Sequence, residues 1–415
     1  MIQNNKHRAD KKIWTDNEKG EKISYILESD NEMEAWTIVD QILNEKKQFK
    51  LDQVAIFYRT NAQSRLLEDA LRNENIPYKM YGGTKFYDRV EIKDLAAYLK
   101  ILVNGNDDIS FRRVVNIPAR KFGKKSLEHI DNYAFDKGIS LWQATNELLE
   151  LKDKIALKIE SFVTLISDLR KMMTDNTPSE TLQELIKRVD YFAYLKQKYK
   201  DKYSDKIDNV HELIIAIEEW EEKHEEPNLA MWLQSISLNT GDEEITEGVS
   251  MMTLHMAKGL EFDRVHLAGV EDGLIPHGNN IDEPTLLEEE RRLFYVGMTR
   301  ARQKLSFYGC SRRRTYTGWI SNQPSRFLGE IPAKHIHADG GIDLEEDTYS
   351  DDGDEYDYSD SQDGGLEVGS AVYHPTYGKG VLKEMVHTVK DTKAWVYFSD
   401  HGKRKVSAHH LKVSR

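Results

Sequence analysis

Val54–Arg65 reads VAIFYRTNAQSR. The unbroken apolar run Val54–Tyr58 has the length and composition of a buried strand. Thr60 or Asn61 then offers a side-chain cap for a helix running to about Arg72. A strand that feeds directly into a helix is the unit from which parallel sheets are built. The alternation continues on both sides. Lys22–Leu27 (KISYIL) is a short apolar strand, and Asn31–Lys46 places Met33, Trp36, Ile38, Val39, Ile42 and Leu43 near a helical period. Ile76–Met80 is a third strand, Gly82-Gly83 a turn and Glu91–Val103 a helix. From about Asn106 to Glu247 the spacing becomes helical throughout. Pro178 opens a helix after Thr177, and Ile207, Val210, Leu213, Ile214, Ile217 and Trp220 form one amphipathic stripe, a core face. The strand–helix pattern returns at Gly248. Val249–Leu254 and Val265–Val270 are strands joined by a tight turn with a short helix over His255–Phe262; Glu288–Ala301 is a helix and Lys304–Tyr308 a strand. The economical reading is an α/β domain with a parallel sheet, interrupted by an all-helical insertion.

The chain has 415 residues, 39% hydrophobic and 31% charged, which suits a soluble globular protein of two to four domains. No apolar run approaches the roughly 18–20 residues of a membrane span, and the polar N-terminus MIQNNKHRADKK lacks the apolar core of a signal peptide. A single cysteine, Cys310, excludes an internal disulfide framework and a Cys-rich zinc site. A cytoplasmic location without membrane attachment is the simplest expectation.

A net charge of −13 argues against nucleic acid until its distribution is read. Asp339–Glu367 holds 13 Asp and Glu and no Lys or Arg, so the rest of the chain sums to zero. This stretch has too few aliphatic residues to offset its ordering entropy, and residues 333–367 are expected to be an acidic disordered linker. It is either a solvated spacer or an acidic mimic of DNA. Val368–Arg415 carries 9 Lys and Arg against 3 Asp and Glu. Its short segments AVYH, GKGVLKEMV, AWVYFS and GKRKVS, with turn signals at Tyr377-Gly378 and His401-Gly402, suggest a small β-barrel.

Three clusters carry chemistry. Tyr58-Arg59 ends a strand, where open α/β sheets bind ligands; an aromatic can stack on a base and an arginine can neutralise a phosphate. Met252–Phe262 (MTLHMAKGLEF) joins a strand to a glycine turn bearing His255, Lys258 and Glu261, suited to phosphate or ribose contact. Glu288–Arg302 (EEERRLFYVGMTRAR) is a helix that would project Arg300 from the end of the sheet, as an arginine finger does. Taken singly, each also fits a bland reading: a surface pair, a cap, a salt-bridged helix.

Together, VAIFYRTNAQSRLLEDAL, GGTKFYDRVEIKDLAAYL, MTLHMAKGLEF, EEERRLFYVGMTRAR and PSRFLGEIP resemble the motifs of the UvrD/PcrA/Rep family of superfamily 1 DNA helicases, in their C-terminal half, from about Asn4 to Pro332. The resemblance implies a RecA-like motor domain over 21–105 and 248–332, an inserted helical accessory domain over 106–247, and a remnant or linker over 1–20 after a first motor domain that is absent. It implies ATP as cofactor, with Tyr58 stacked on adenine, Arg59 and Arg300 on the γ-phosphate as the catalytic pair, and Glu261 near the ribose. Thr253 and His255 would touch single-stranded DNA. At Ile117–Leu127 (IPARKFGKKSL) the family has a Gly-hydrophobic-Gly loop that grips duplex backbone. Here Lys121 stands at the first glycine and Gly123 at the second, with Arg120, Lys124 and Lys125 beside them. The segment 368–415 resembles the Tudor-like domain that contacts RNA polymerase.

No G-x-x-x-x-G-K-[ST] occurs, so the phosphate loop and the Mg2+ ligands are expected on the absent first motor domain, present as another part or as a separate polypeptide. No metal ligands are expected here. Glu271 and Asp272, which end the VHLAGVED strand, read as surface or loop residues. The expected function is half of a 3′-to-5′ DNA helicase of repair or replication, inactive alone. The alternative is a non-catalytic DNA- or polymerase-binding module.

Overall fold

A computed structural model describes residues 1–6, 20–237 and 247–339, and the strands 371–374, 378–387, 392–398, 402–407 and 412–413. Residues 1–346 and 347–415 are two compact units. The first begins with β1 (Ile23–Asp30), α1 (Asn31–Glu45), β2 (Val54–Tyr58), α2 (Ser64–Asn73) and β3 (Tyr78–Met80). Helices follow: α3 (Val90–Val103), α4 (Asp108–Val114), α5 (Lys124–Lys137), α6 (Leu141–Glu150), α7 (Glu160–Met172), α8 (Pro178–Arg188), α9 (Tyr191–Tyr199), α10 (Tyr203–Glu222) and α11 (Leu229–Ser237). The sheet resumes with β4 (Val249–Thr253), β5 (Phe262–Leu267), α12 (Pro284–Met298), β6 (Ala301–Thr315), β7 (Gly318–Ser321) and β8 (Ile336–Asp339).

The strands lie in the order β3-β4-β2-β5-β6-β1-β8, all parallel, with β7 antiparallel to β6 off this path. Both faces are covered. Ala55 and Phe57 of β2 join Val265, Phe307 and, from α12, Phe294 in one core. Val54, Ile56 and Tyr58 join Ile38, Val39, Leu67 and Leu71 of α1 and α2 in the other. Burial on both faces is why β2 reads as a continuous apolar run rather than an alternating one. Asp30 caps α1 by accepting from Met33 N, and Thr177 with Glu180 forms a capping box ahead of Pro178 at the start of α8.

Four differences from the sequence reading have physical causes. Thr60 caps a 3-10 turn over Asn61–Gln63, because Gln63 Oε1 accepts from the backbone N–H groups of Arg59 and Thr60, each at 2.9 Å; α2 therefore starts only at Ser64. α3 buries its apolar face in the helical core with Phe111, Phe162, Leu182 and Leu213, not on the sheet. β6 runs on to Thr315 because β7 folds back along it as a hairpin. The segment expected to be linker from 333 instead supplies an edge strand, with Ile336 in register with Ile23 of β1. At the other end of the chain, Asn5 is buried: its Nδ2 donates to Glu288 O at 2.9 Å, and its Oδ1 accepts from Arg291 Nη1 at 2.6 Å.

In the second unit β9 (Ala371–His374), β10 (Gly378–His387), β11 (Thr392–Phe398), β12 (Gly402–Ser407) and β13 (Lys412–Val413) form an antiparallel sheet ordered β12-β11-β10-β9-β13. The acidic stretch 340–367 and the turn residues Tyr377 and His401 lie outside the described residues. Among the described residues no helix is long and apolar enough to cross a membrane.

Candidate functional site

A parallel sheet has two chemically distinct edges, and the candidate residues divide between them. β2 and β4 run side by side with Tyr58 opposite Thr253, so Arg59, Thr253 and His255 gather where strands end. The Arg59 guanidinium is held as a fork on Glu290 of α12, with Nε to Oε2 at 3.0 Å and Nη2 to Oε1 at 2.6 Å. Glu290 is 5% exposed and also accepts from His277 N at 3.1 Å and Asn280 Nδ2 at 2.8 Å. Burial alone would raise its pKa, but the Arg59 hydrogen bonds and charge, with those from Asn280 and His277, bring it below the ordinary value. His255 is exposed on the turn after β4. Desolvation and then the Arg59 charge hold its pKa below the ordinary value, against the opposing pull of Glu290, Glu289 and Asp205. This edge opens onto a cavity of about 390 Å³ lined by Thr60, His277 and Arg313 on the sheet side and by His211 and Glu212 of α10. It is the crevice position where open α/β sheets bind ligands.

Glu261 and Arg300 stand at the opposite edge, where β5 and β6 begin. Phe262 N donates to Arg300 O at 2.9 Å. The Arg300 side chain donates to Val296 O at 3.0 Å, Leu260 O at 3.1 Å and Thr299 Oγ1 at 3.0 Å, and no carboxylate among the described residues pairs with it. Glu261 is exposed and pairs with Arg302 Nε at 3.2 Å.

The expected triphosphate pair, Arg59 and Arg300, is divided between the two ends of the strands, with both guanidiniums lying against α12, Arg59 on Glu290 and Arg300 on Val296 O. Ala301 is level with Phe262, and Phe57 is level with Leu267, so the length of β5, roughly 16 Å of strand at about 3.3 Å per residue, separates the points where the two side chains leave the backbone. Each is turned to partners at its own edge. Tyr58 likewise does not offer the expected stacking face: it is 1% exposed, packed among the α1 and α2 side chains, and burial with the nearby Glu68 charge pushes its phenol pKa up.

Two more expectations change. Arg120 faces inward, donating to the carbonyls of Val114, Val115, Ile117 and Pro118 and to Tyr98 Oη, with its guanidinium over the Phe162 ring. It therefore holds the loop's shape rather than presenting charge to a phosphate. Lys121, Gly123, Lys124 and Lys125 are exposed, while Phe122 is buried. Lys121 has φ +56, the left-handed conformation that a glycine adopts without cost. Glu271, read as a surface residue, is buried. It pairs with Arg313, accepts from Asn322 Nδ2, and lies with Glu34 and Cys310. These three side chains are close enough to hold an ion, but Arg313 bridges both carboxylates and already supplies the countercharge. Asp272 matches its loop reading and pairs with Arg326 at 2.8 Å.

A family model described as the UvrD-like helicase C-terminal domain matches residues 1–312. The ATP-dependent DNA helicase PcrA of Bacillus subtilis (strain 168) is 38% identical over 346 residues, 80% of this chain and 47% of that protein. DNA helicase II of Escherichia coli (strain K12) is 34% identical over 426 residues, 97% of this chain and 57% of that protein. The chain spans about half the length of the curated relatives it matches.

Proposed function

The chain belongs to the UvrD-like helicases, in the part their C-terminal domain occupies, and on that premise we propose that it forms the second RecA-like half of an ATP-dependent DNA motor of 3′-to-5′ polarity, acting in repair or replication. The RecA-like part comprises the sheet and its covering helices. With β8 in the sheet and α3 in the helical core, we draw its limits at 20–89 and 247–339, with the inserted helical domain over 90–237. The strands of 371–413 would close as a Tudor-like barrel that contacts RNA polymerase.

The observation that carries this reading is Arg300. Its guanidinium sits at a sheet edge beside Glu261, satisfied by two carbonyls and a hydroxyl and unpaired with any carboxylate among the described residues. Neutral oxygens hold a cation more weakly than a charged phosphoryl oxygen does. Arg300 can therefore turn to the γ-phosphate of a nucleotide held by a partner domain and stabilise the transferring charge. ATP supplies the phosphoryl group; the phosphate loop and the Mg2+ ligands come from the first motor domain. Glu261 would accept from the ribose. At the other edge Thr253 and His255 would face the single strand, while the Arg59 guanidinium, which lies against α12 as that of Arg300 does, would join it on the γ-phosphate. The exposed Lys121, Lys124 and Lys125 around Gly123 would lie on duplex backbone, an interaction that weakens steeply with salt.

The test combines the chain with a separately produced first motor domain of the same family. ATP turnover is expected only in the mixture. Arg300→Ala and Arg59→Ala are each expected to abolish it, while His255→Ala leaves DNA-independent turnover intact and lowers its stimulation by single-stranded DNA. Steady turnover by the chain alone that Arg300→Ala removes would overturn the assignment. A binding-only module, the reading favoured by the missing phosphate loop taken by itself, gives DNA retention with no turnover in either setting.

A further inference from the structure

The corner between α9 and α10 reads YFAYLKQKYKDKYSDK over Tyr191–Lys206. Five lysines fall between Lys196 and Lys206, against two aspartates, Asp201 and Asp205. Among the described residues only one of the five meets a carboxylate: Lys206 Nζ lies 2.7 Å from Glu91 Oε2. Lys196, Lys198, Lys200 and Lys202 are exposed, and the charged groups nearest tyrosines rest on rings and a phenol oxygen instead. Lys198 Nζ donates to Tyr194 Oη at 2.7 Å and lies over the Tyr194 and Tyr199 rings. Lys196 Nζ stands 5.8 Å from the centre of the Tyr203 ring, and Tyr203 is 37% exposed. Between the two helices Lys200 has φ +44. That left-handed backbone is strained for any residue but glycine, and such strain gathers at functional turns.

We propose that this tyrosine–lysine corner is a contact surface for single-stranded DNA, with its ammonium groups on the phosphodiester backbone and the exposed ring of Tyr203 against a base. The proposal rests on the reading that Thr253 and His255 face the strand, and it extends that path onto the inserted helices. Charge is the first support. Arg65 of the same unit is answered by Asp69, Glu212 and Glu219, whereas these four ammonium groups have no anionic partner among the described residues. A phenol oxygen and ring faces hold an ammonium less strongly than a phosphate oxygen does. The interleaved tyrosines are the second support. A ring face stacks on an unpaired base of any sequence, which neither a duplex nor an acidic peptide offers. Position is the third. Asp205, two residues beyond Tyr203 in α10, is near enough for its charge to act on both His255 and His277, so the corner borders the edge where β2 and β4 end.

The experiment measures binding of the full chain to a fluorescent oligo-dT, and to a blunt duplex of the same length, by anisotropy over a salt series. The variants are Lys198→Gln, Lys200→Gln and Lys202→Gln combined, Tyr203→Ala, Tyr203→Phe and His255→Ala. Loss of three phosphate contacts should make the slope of log K against log salt shallower by about two, at about 0.7 per contact on a single strand. Tyr203→Ala should weaken oligo-dT binding roughly tenfold, the worth of one base stack, with the salt slope and duplex binding unchanged. Tyr203→Phe, which keeps the ring, should bind as wild type does, and this separates stacking from a loss of fold. An unchanged slope in the lysine variant overturns the proposal. So does a Tyr203→Ala loss that is as large on the duplex. Poly-glutamate that displaces the probe as well as unlabelled oligo-dT does would assign the corner to an acidic peptide and overturn it too. If His255→Ala weakens oligo-dT binding and the corner variants do not, the proposal fails and the strand-side reading stands. If the corner variants weaken it and His255→Ala does not, the proposal stands and that reading fails. A wild type that binds no oligo-dT sinks both.

Discussion

Arg313→Met removes the countercharge from a buried site and leaves two carboxylates facing each other. Arg313 Nη2 lies 2.7 Å from Glu34 Oε2 and also pairs with Glu271 Oε1. Glu34 is further held by Gly269 N at 2.6 Å, and Glu271 by Asn322, so neither can swing away when the arginine goes. The carboxylates approach within 4.8 Å, which at an effective dielectric of about 20 is a repulsion of about 3.5 kcal/mol. That agrees with the roughly 3–5 kcal/mol typical of breaking a buried ion pair from one side. Methionine keeps much of the apolar stem, so the loss reports charge rather than a cavity. The sign of the pH dependence follows from linkage. Burial, ahead of the other causes, already raises the Glu271 pKa, and Arg313 opposes that rise. Without Arg313 the folded-state value climbs further, so the folded form binds more protons than the unfolded chain, whose glutamates titrate near 4.3. Stability is then lost as pH rises from about 4.3 through the raised value, and the penalty is complete above it. Urea denaturation followed by tryptophan fluorescence, at pH 5 and pH 8, should find the variant closer to wild type at pH 5. Arg313→Lys, which restores charge without the fork, should recover part of the loss. A loss under about 1 kcal/mol, or one equal at both pH values, would refute the assignment of Arg313 as the countercharge of this cluster.

Two further outcomes follow from single residues. His266 is fully buried, and desolvation, with the charges of Arg264 and Lys304, holds its pKa well below the ordinary value; stability should fall as pH drops below about 6.5, and Glu or Gln content elsewhere being unchanged, His266→Gln should flatten the denaturation midpoint between pH 5 and 7, an unchanged slope counting against it. Lys121→Gly should raise stability by about 1 kcal/mol by relieving the left-handed backbone at φ +56, while weakening duplex binding at low salt; a lower melting temperature would contradict the strain.

Much of the fold was legible because its signals are local. The apolar run of β2, the stripe of α10 and the Thr177-Pro178 start of α8 each state their own conformation. What was not legible depended on pairing at a distance. Ile336–Asp339 is four residues of unremarkable composition beside an acidic stretch, and it is a strand only because β1 offers it an open edge. α3 has apolar residues that fit a sheet or a helical layer equally well, and only the arrival of α4, α7 and α10 decides between them. Glu271 has no sequence mark that separates it from Asp272, yet Arg313, some forty residues on, draws one inward while Arg326 holds the other at the surface.

The division of the candidate site, by contrast, was written in the order of the residues. Arg59 follows its strand, and Arg300 precedes its strand. Once β2, β5 and β6 are taken as parallel, the backbone of a residue after one and of a residue before another must stand at opposite ends of the strands, and only the side chains can bring them together along α12. The same reasoning applies to Tyr58. As the last residue of a strand covered on both faces, it alternates with Phe57 into a core, so its ring was committed to packing before any ligand was considered. Arg59, the first residue past the strand, is released from that alternation, and its partner had to come from whichever helix passes that edge. α12 is that helix, and the three adjacent glutamates could not be ranked without knowing its rotation; the buried Phe294, four residues beyond Glu290, fixes that rotation against the sheet.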